Sequence, residues 1–298
     1  MAMVQDKSRL AVAGTLAKYV VLTLGAFLML APFFDMFIGA LRTPAERLAM
    51  PPPYWPSDPQ WRNYLRVFTE LPMGNWLFNS VYTTFVITFV QLLTSAMAGF
   101  ALAKYRFRGR DFLFRSVLGA QMFPFFLFLI PVFFILRYFP LAGGNDLFGQ
   151  GGFGFLNSYT AIILPFAVTW YGIFLMRQFF MGLPDELMDA ARLDGCNEFR
   201  IFFQIALPLV LPGLVTLGIF IFVYQWNEVI WTMTVTRTAP DLQTIPVGIY
   251  LLRGAFIDQS TQSLQQAALA VSIAPVIVVF LFLQRFYIRG LTAGAIKG

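Results

Sequence analysis

Six runs of about 20 mostly apolar residues constrain this chain more than any other feature, because that is the length of a bilayer crossing. They cover roughly Ala17–Ala40, Trp76–Ala101, Leu113–Leu136, Ser158–Phe180, Leu207–Tyr224 and Ala267–Tyr287. Each is too long and too evenly apolar for a strand, and the alternation of a membrane barrel strand is missing. In lipid only helices or closed barrels satisfy every backbone group, so an all-α integral membrane domain over residues 1–298 with six transmembrane helices is expected. Composition agrees. Apolar residues make up 58% of the 298 and charged ones 12%, about half the charged share of a soluble domain. One core of this size could not hide that much apolar surface from water. Lys7 and Arg9 before the first run, with Lys18 at its start, resemble the n-region of a secretory signal. The run is too long for such a signal and no A-x-A site follows, so an uncleaved first helix is expected.

Six crossings put both termini on one side. That side carries 14 of the 21 Lys and Arg residues, among them Lys7, Arg9, Lys18, the block Lys104–Arg110, Arg192 and Arg289; the other seven run from Arg42 to Arg253. Positive charge stays inside, so both termini are expected in the cytoplasm. The net charge of +6 then reflects topology. In isolation the block Lys104-Tyr105-Arg106-Phe107-Arg108-Gly109-Arg110 could bind RNA. Between two spans it reads instead as a loop touching acidic lipid headgroups, with no nucleic acid implied.

Little in the spans suggests chemistry. Asp35 is the one carboxylate inside a run, with Arg137, Arg177 and Glu228 at edges. An ion-coupled secondary carrier, the competing class, would normally place carboxylates near the midplane. Ser95, Gly99 and Ala103 recur at intervals of four, either as a close helix seam or as small residues that lipid tolerates. Pro124, Pro131, Pro165, Pro208, Pro212 and Pro275 interrupt the later spans and favour kinks, which suit a gated pathway. Residues 149–154 satisfy G-x-G-x-x-G to the letter, but a dinucleotide site needs a flanking strand and helix, so this is read as a flexible Gly-rich connection. No Walker A loop exists, since Gly-Lys never occurs. Without His and with only Cys196, there is no zinc site, no disulfide and no recognisable catalytic centre.

The informative segment lies between the fourth and fifth runs, from Leu183 to Arg200, with five acids and two arginines. Pro184 suits a helix start, and Asp185 with Glu186 complement its N-terminus. Leu187, Ala190, Ala191 and Leu193 give an apolar side at helical spacing. Gly195 lets the chain turn, and a second short helix leads through Ile205 to Pro208. This helix–Gly–helix hairpin is either an interfacial connector or a docking element.

The stretch Glu186–Pro212 resembles the EAA loop of the permease subunits of binding-protein-dependent ABC importers. Asp189-Ala190-Ala191, Asp194-Gly195, Phe203, Ile205 and Leu207-Pro208-Leu209 with Pro212 carry the pattern. Asp189 stands where the family usually has Glu, and Cys196 where Ala is common. Asn79-Ser80, the Lys104–Arg110 block, Trp226-Asn227, Leu242-Gln243-Thr244, Pro246-Val247-Gly248 and the run Arg289–Gly298 resemble the carbohydrate branch, of maltose and glycerol-phosphate type.

The resemblance implies a multi-pass subunit of a bacterial or archaeal cytoplasmic (inner) membrane, and no enzyme. It would work by alternating access with a second permease, a cytoplasmic ATPase dimer that binds ATP and Mg, and an extracytoplasmic solute-binding protein. This chain would bind no cofactor itself. Glu186, Asp189, Ala190, Ala191, Asp194, Gly195 and Pro208 would couple it to the ATPase, and Gly294, Ala295, Lys297 and Gly298 would reach between the ATPases. Kinked spans three to five are candidates for the pathway wall. The outer segment of about 227–266 is either a contact for the binding protein or a solvated connector. The implied substrate is a disaccharide or oligosaccharide of maltose or trehalose kind, with glycerol 3-phosphate or a related polyol as the alternative.

Overall fold

The computed structural model describes residues 2–255 and 259–295, with side chains described for 12, 14–252 and 262–282. Every regular element among the described residues is helical. In chain order the helices are α1 (Ala2–Leu41), α2 (Pro44–Leu48), α3 (Arg62–Glu70), α4 (Met73–Lys104), α5 (Arg110–Ala120), α6 (Leu129–Arg137), α7 (Tyr159–Ile163) and α8 (Trp170–Met181). They continue as α9 (Asp185–Leu193), α10 (Glu198–Arg200), α11 (Leu207–Leu209), α12 (Leu211–Trp226), α13 (Ile230–Val235), α14 (Ile245–Ala255) and α15 (Gln259–Ala295). The chain divides into two compact units, residues 1–72 with 252–274 and residues 73–251 with 275–298.

Three stretches of unbroken helix are long and apolar enough to cross a membrane: Gly14–Leu41, Met73–Lys104 and Gln262–Phe282. Two bent helix pairs also pass on length and composition. Tyr159–Phe166 and Trp170–Met181 meet at 45°, and Glu198–Leu209 and Leu211–Trp226 at 80°. The expected third helix over 113–136 does not form as one element. α5 and α6 have 11 and 9 residues, separated by a turn up to Pro124 and a 3-10 turn at Phe125–Leu127. Proline removes a backbone donor and pushes its predecessor out of helical geometry, so hydropathy alone overstates the continuity of this run.

In the first unit, α3 is tied to the end of α1: Asn63 Nδ2 donates to the Ala40 carbonyl at 2.8 Å and Tyr64 Oη to that of Phe37 at 3.1 Å. Asp35 pairs with Arg42 at 2.9 Å, and Arg42 also donates to the Pro53 carbonyl. A charge near the end of a span is thereby neutralised locally. Thr43 and Glu46 form a capping box that opens α2.

In the second unit, α4 is the central rod, about 48 Å long at 1.5 Å per residue. The small-residue pattern is a packing seam against α8. A Cβ on Gly99 would lie 2.8 Å from Arg177 N, and one on Gly172 would lie 2.2 Å from Ser95 Oγ. Where α7 and α8 break, Gln91 Nε2 donates to the Phe166 carbonyl at 2.6 Å and Thr94 Oγ1 to that of Ala167 at 2.9 Å. Side chains of α4 thus satisfy carbonyls that the broken helix cannot, as lipid demands.

Two connections between helices are folded, the Gly-rich one against the expectation of flexibility. In the Gly-rich segment, buried Asn145 donates to the carbonyls of Arg137 and Phe139 and accepts from Gly152 N. Gly149 has φ +78°, and a Cβ there would sit 2.0 Å from the Tyr138 carbonyl oxygen, so its glycine serves compactness rather than flexibility. The described part of the segment 227–266 is folded as well, and no solvated connector. α13 buries Trp231 completely, and its indole donates to the Ala161 carbonyl at 2.9 Å. Asn79 donates to the carbonyls of Asp241 and Gln243, and Ser80 accepts from Ile245 N at 2.8 Å.

Candidate partner-docking hairpin

The segment singled out in the sequence folds as a helical hairpin. Pro184 occupies the position before α9, with φ −61°, and Asp185 and Glu186 fill the acidic first turn. α9 ends at Leu193, and Gly195 turns the chain at φ +78°. Gly195 N donates to the Arg192 carbonyl and Cys196 N to that of Ala191, both at 3.0 Å, the double bond pattern of a Schellman end. Asn197 then caps α10, accepting from Arg200 N at 2.8 Å. The helix continues through a π-turn at Ile201–Ala206, where Leu207 N donates five residues back to Phe202. Pro208, which lacks a donor, follows immediately, and Val210 breaks the helix before α12.

The apolar side expected of α9 divides in two. Met188 and Ala191 are buried, at 1% and 6% exposure, in a cluster with Phe100, Phe180, Ile201 and Phe202. Leu187, Ala190 and Leu193 lie outside it, and Leu193 is 90% exposed. A nine-residue helix on a protein surface buries one stripe, and its own core takes the one containing Met188. Glu186, Asp189 and Asp194 are exposed with Ala190. Pro208 stands about 15 Å farther along the second arm by helix rise. Gly294 and Ala295 end α15, with no side chain described beyond 282, while Lys297 and Gly298 lie outside the described residues.

Two residues at the end of α4 hold the hairpin, and the sequence reading had left them among lipid contacts. Lys104 Nζ pairs with Asp185 at 2.6 Å and donates to the Leu183 carbonyl at 2.6 Å, from a side chain 4% exposed. Tyr105 Oη donates to Glu198, whose carboxylate also takes Arg192 Nε at 2.9 Å. Arg192 reaches Asp189 as well, at 2.9 Å, so one guanidinium ties the first arm to the second.

The charges respond accordingly. Lys104, through its hydrogen bond and then its charge, holds the Asp185 carboxyl below the usual range. Arg192, followed by Tyr105, does the same for Glu198. Burial and then Glu198 push the Tyr105 hydroxyl up to about 12. Acidic residues at 185 and 198 with cations at 104 and 192 are visible in the sequence, but pairing across 81 residues follows no local pattern. Among the described residues no cluster of His, Cys, Asp and Glu could hold a metal ion. The hairpin has charge, shape and an unpacked outer stripe, and no arrangement for bond chemistry.

Residues 91–293 match the family described as "Binding-protein-dependent transport system inner membrane component". The chain is 36% identical to the arabinooligosaccharides transport system permease protein AraQ of Halalkalibacterium halodurans, over 92% of this chain and 93% of that one. It is 29% identical to the sn-glycerol-3-phosphate transport system permease protein UgpE of Yersinia enterocolitica, over 92% and 94%. A crystal structure of a bacterial ABC transporter involved in the import of the acidic polysaccharide alginate includes a similar fold. There the TM-score is 0.76 and the identity 24%, covering 91% of this chain and 95% of that one.

Proposed function

This chain belongs to the binding-protein-dependent transport system inner membrane component family, and from that premise we propose that it is the permease subunit of an ATP-driven importer of a sugar. It would span the cytoplasmic membrane with both termini inside. It would pair with a second permease, stand on a cytoplasmic ATPase dimer and receive substrate from an extracytoplasmic binding protein. ATP and magnesium would belong to the ATPase. The observation that carries the reading is the hairpin. Its inner stripe is plugged into the chain's own core, while Glu186, Leu187, Asp189, Ala190 and Leu193 are left exposed on a rigidly capped helix. Small Ala190 permits close approach, and Asp189 and Glu186 supply charge for a partner cleft.

In this reading the hairpin moves with the ATPase. Met188 and Ala191 pass the displacement to the cluster containing Phe100, Phe180 and Phe202. From there it enters α4, α8 and α12, whose broken neighbours form the pathway wall. Gly294, Ala295, Lys297 and Gly298 are proposed as a tail contact with the ATPases, on the resemblance alone. The sugar is proposed to be an oligosaccharide, in line with the 36% identical relative. Glycerol 3-phosphate is the second reading, favoured by the 29% identical one.

Gentle detergent purification from the native membrane tests the assignment. A second multispan subunit and a Walker-bearing ATPase should copurify, with ATP hydrolysis stimulated by sugar-loaded binding protein. A homogeneous chain that transports without ATP would establish the secondary carrier instead.

A further inference from the structure

The connection between α4 and α5 is the most basic stretch of the chain, with Lys104, Arg106, Arg108 and Arg110, then Arg115, against the single carboxylate Asp111. Lys104 is committed inward to Asp185. Its neighbours are not committed in this way. Arg108 and Arg115 are exposed and make no hydrogen bond or ion pair among the described residues. Arg106, also exposed, lends Asp185 only its field. Arg110 spends its Nε on Asp111 at 3.0 Å, which leaves its terminal nitrogens available.

Two of these arginines line a cavity of about 470 Å³, bounded by Arg106, Phe107, Gly109, Arg110, Asp111 and Phe112. Gly109, at φ +91° with open space around it, turns the chain so that Arg106 and Arg110 line one hollow. Immediately beyond, the surface becomes apolar. Phe112 is 73% exposed, and Leu113 and Leu118 are exposed on the same short helix. A charged hollow bordering an apolar surface, next to the end of a spanning helix, suits a ligand with an anionic head and hydrocarbon tails. Soluble anions would use only half of it.

We propose that this cavity binds the headgroup of an acidic phospholipid of the cytoplasmic leaflet. The phosphodiester lies between Arg106 and Arg110, Arg108 and Arg115 add attraction, and the acyl chains run along Phe112 and Leu113. Asp111 limits the affinity and favours a diffuse phosphodiester over a dianion. The choice of leaflet rests on the proposed topology; the chemistry of the site does not.

The test is native mass spectrometry of the importer complex in mild detergent, titrated separately with dioleoyl phosphatidylglycerol, dioleoyl phosphatidylcholine and inorganic phosphate. Phosphatidylglycerol should bind with clear preference over the other two. At roughly fivefold per arginine near an acidic surface, the double variant Arg106→Ala, Arg110→Ala should lose about 30-fold in that affinity. Arg106→Lys with Arg110→Lys should keep most of it, and Asp111→Asn should strengthen binding by a few-fold, a gain that misfolding cannot imitate. Equal binding of phosphatidylcholine, or an Asp111→Asn variant no tighter than wild type, overturns the site. Phosphate competing at micromolar concentration makes it a soluble-anion site and overturns the lipid assignment. An impermeant maleimide that labels Arg108→Cys in intact cells overturns the leaflet. The titration needs neither ATP nor solute, so its failure and that of the importer assignment are read separately.

Discussion

Replacing Lys104 by Met should loosen the hairpin from α4 while leaving the fold intact. Met matches the length of the lysine stem, and that stem is buried against neighbours which lose nothing by the change. What disappears are two hydrogen bonds of 2.6 Å, one to Asp185 and one to the Leu183 carbonyl. Hydrogen bonds to charged groups contribute roughly 1.5–3 kcal/mol. Asp185 is 77% exposed and is readily rehydrated, which places its share at the low end. Relief from holding an ammonium in a poorly hydrated site offsets part of the loss. A net cost of about 2 kcal/mol corresponds to a shift of about 30-fold toward a detached hairpin. A hairpin attached at about 100:1 would fall to about 3:1. The assay is sugar transported per ATP hydrolysed in proteoliposomes, alongside amide exchange of residues 186–195. Transport per ATP should fall by about a quarter, with the attached fraction, while ATP hydrolysis persists; exchange should rise by about 25-fold, with the detached fraction, and Lys104→Arg should retain most function. Wild-type coupling and exchange in Lys104→Met would refute the reasoning. So would a Lys104→Met, Asp185→Asn double variant whose effects simply add, since contacting residues should not.

Other consequences follow from the same geometry. Asp189→Lys replaces the Arg192 ion pair by repulsion and reverses the exposed charge, so transport should uncouple from hydrolysis with insertion unchanged; full transport by this variant would exclude a docking role. Gly195→Ala should cost about 1 kcal/mol, because φ is +78° while nothing lies within 4 Å of the added carbon. Gly195→Asn should cost less, and thermal melts would order the three. Gly99→Val should destabilise by about 1–3 kcal/mol through overpacking of the α4–α8 seam. Gly218→Ala, whose new carbon meets Leu92 at an ordinary 3.4 Å, should be neutral or stabilising. The contact between Tyr105 and Glu198 on the hairpin's second arm has a defined pH window. Glu198 is held below its usual range, so its contribution is complete above about 4.3 and is lost as pH falls through the lowered value. Tyr105 is raised, so its contribution is complete below about 10 and is lost as pH rises through about 12. Amide protection at residues 192–198, taken relative to the intrinsic exchange rate at each pH, should therefore be flat between roughly 5 and 10, and Tyr105→Phe should remove only the alkaline limb.

Much of this protein was legible in its sequence for reasons that are local or compositional. Long apolar runs require a helical chain in lipid whatever the tertiary arrangement, and Ala17–Ala40, Trp76–Ala101 and Ala267–Tyr287 lie within long helices as expected. The hairpin was legible because its acids, its glycine and its second-arm cap act within a few residues of one another. The Ser95–Gly99 spacing placed small residues on one face, since helical period alone decides that. Tertiary structure decided the rest. Hydropathy cannot tell a continuous crossing from one broken at Pro124 or bent at Val210, because a broken helix is as apolar as a whole one. Its cost is set by whether partners such as Gln91 and Thr94 reach the freed carbonyls. Which stripe of α9 is buried depended on the neighbours that Phe100, Phe180 and Phe202 supply from three other elements. Lys104 was an ordinary loop cation until folding brought Asp185 to it from 81 residues away. Sequence fixes what a residue can do within a turn or two of itself, and only the packed chain determines which distant group it does it with.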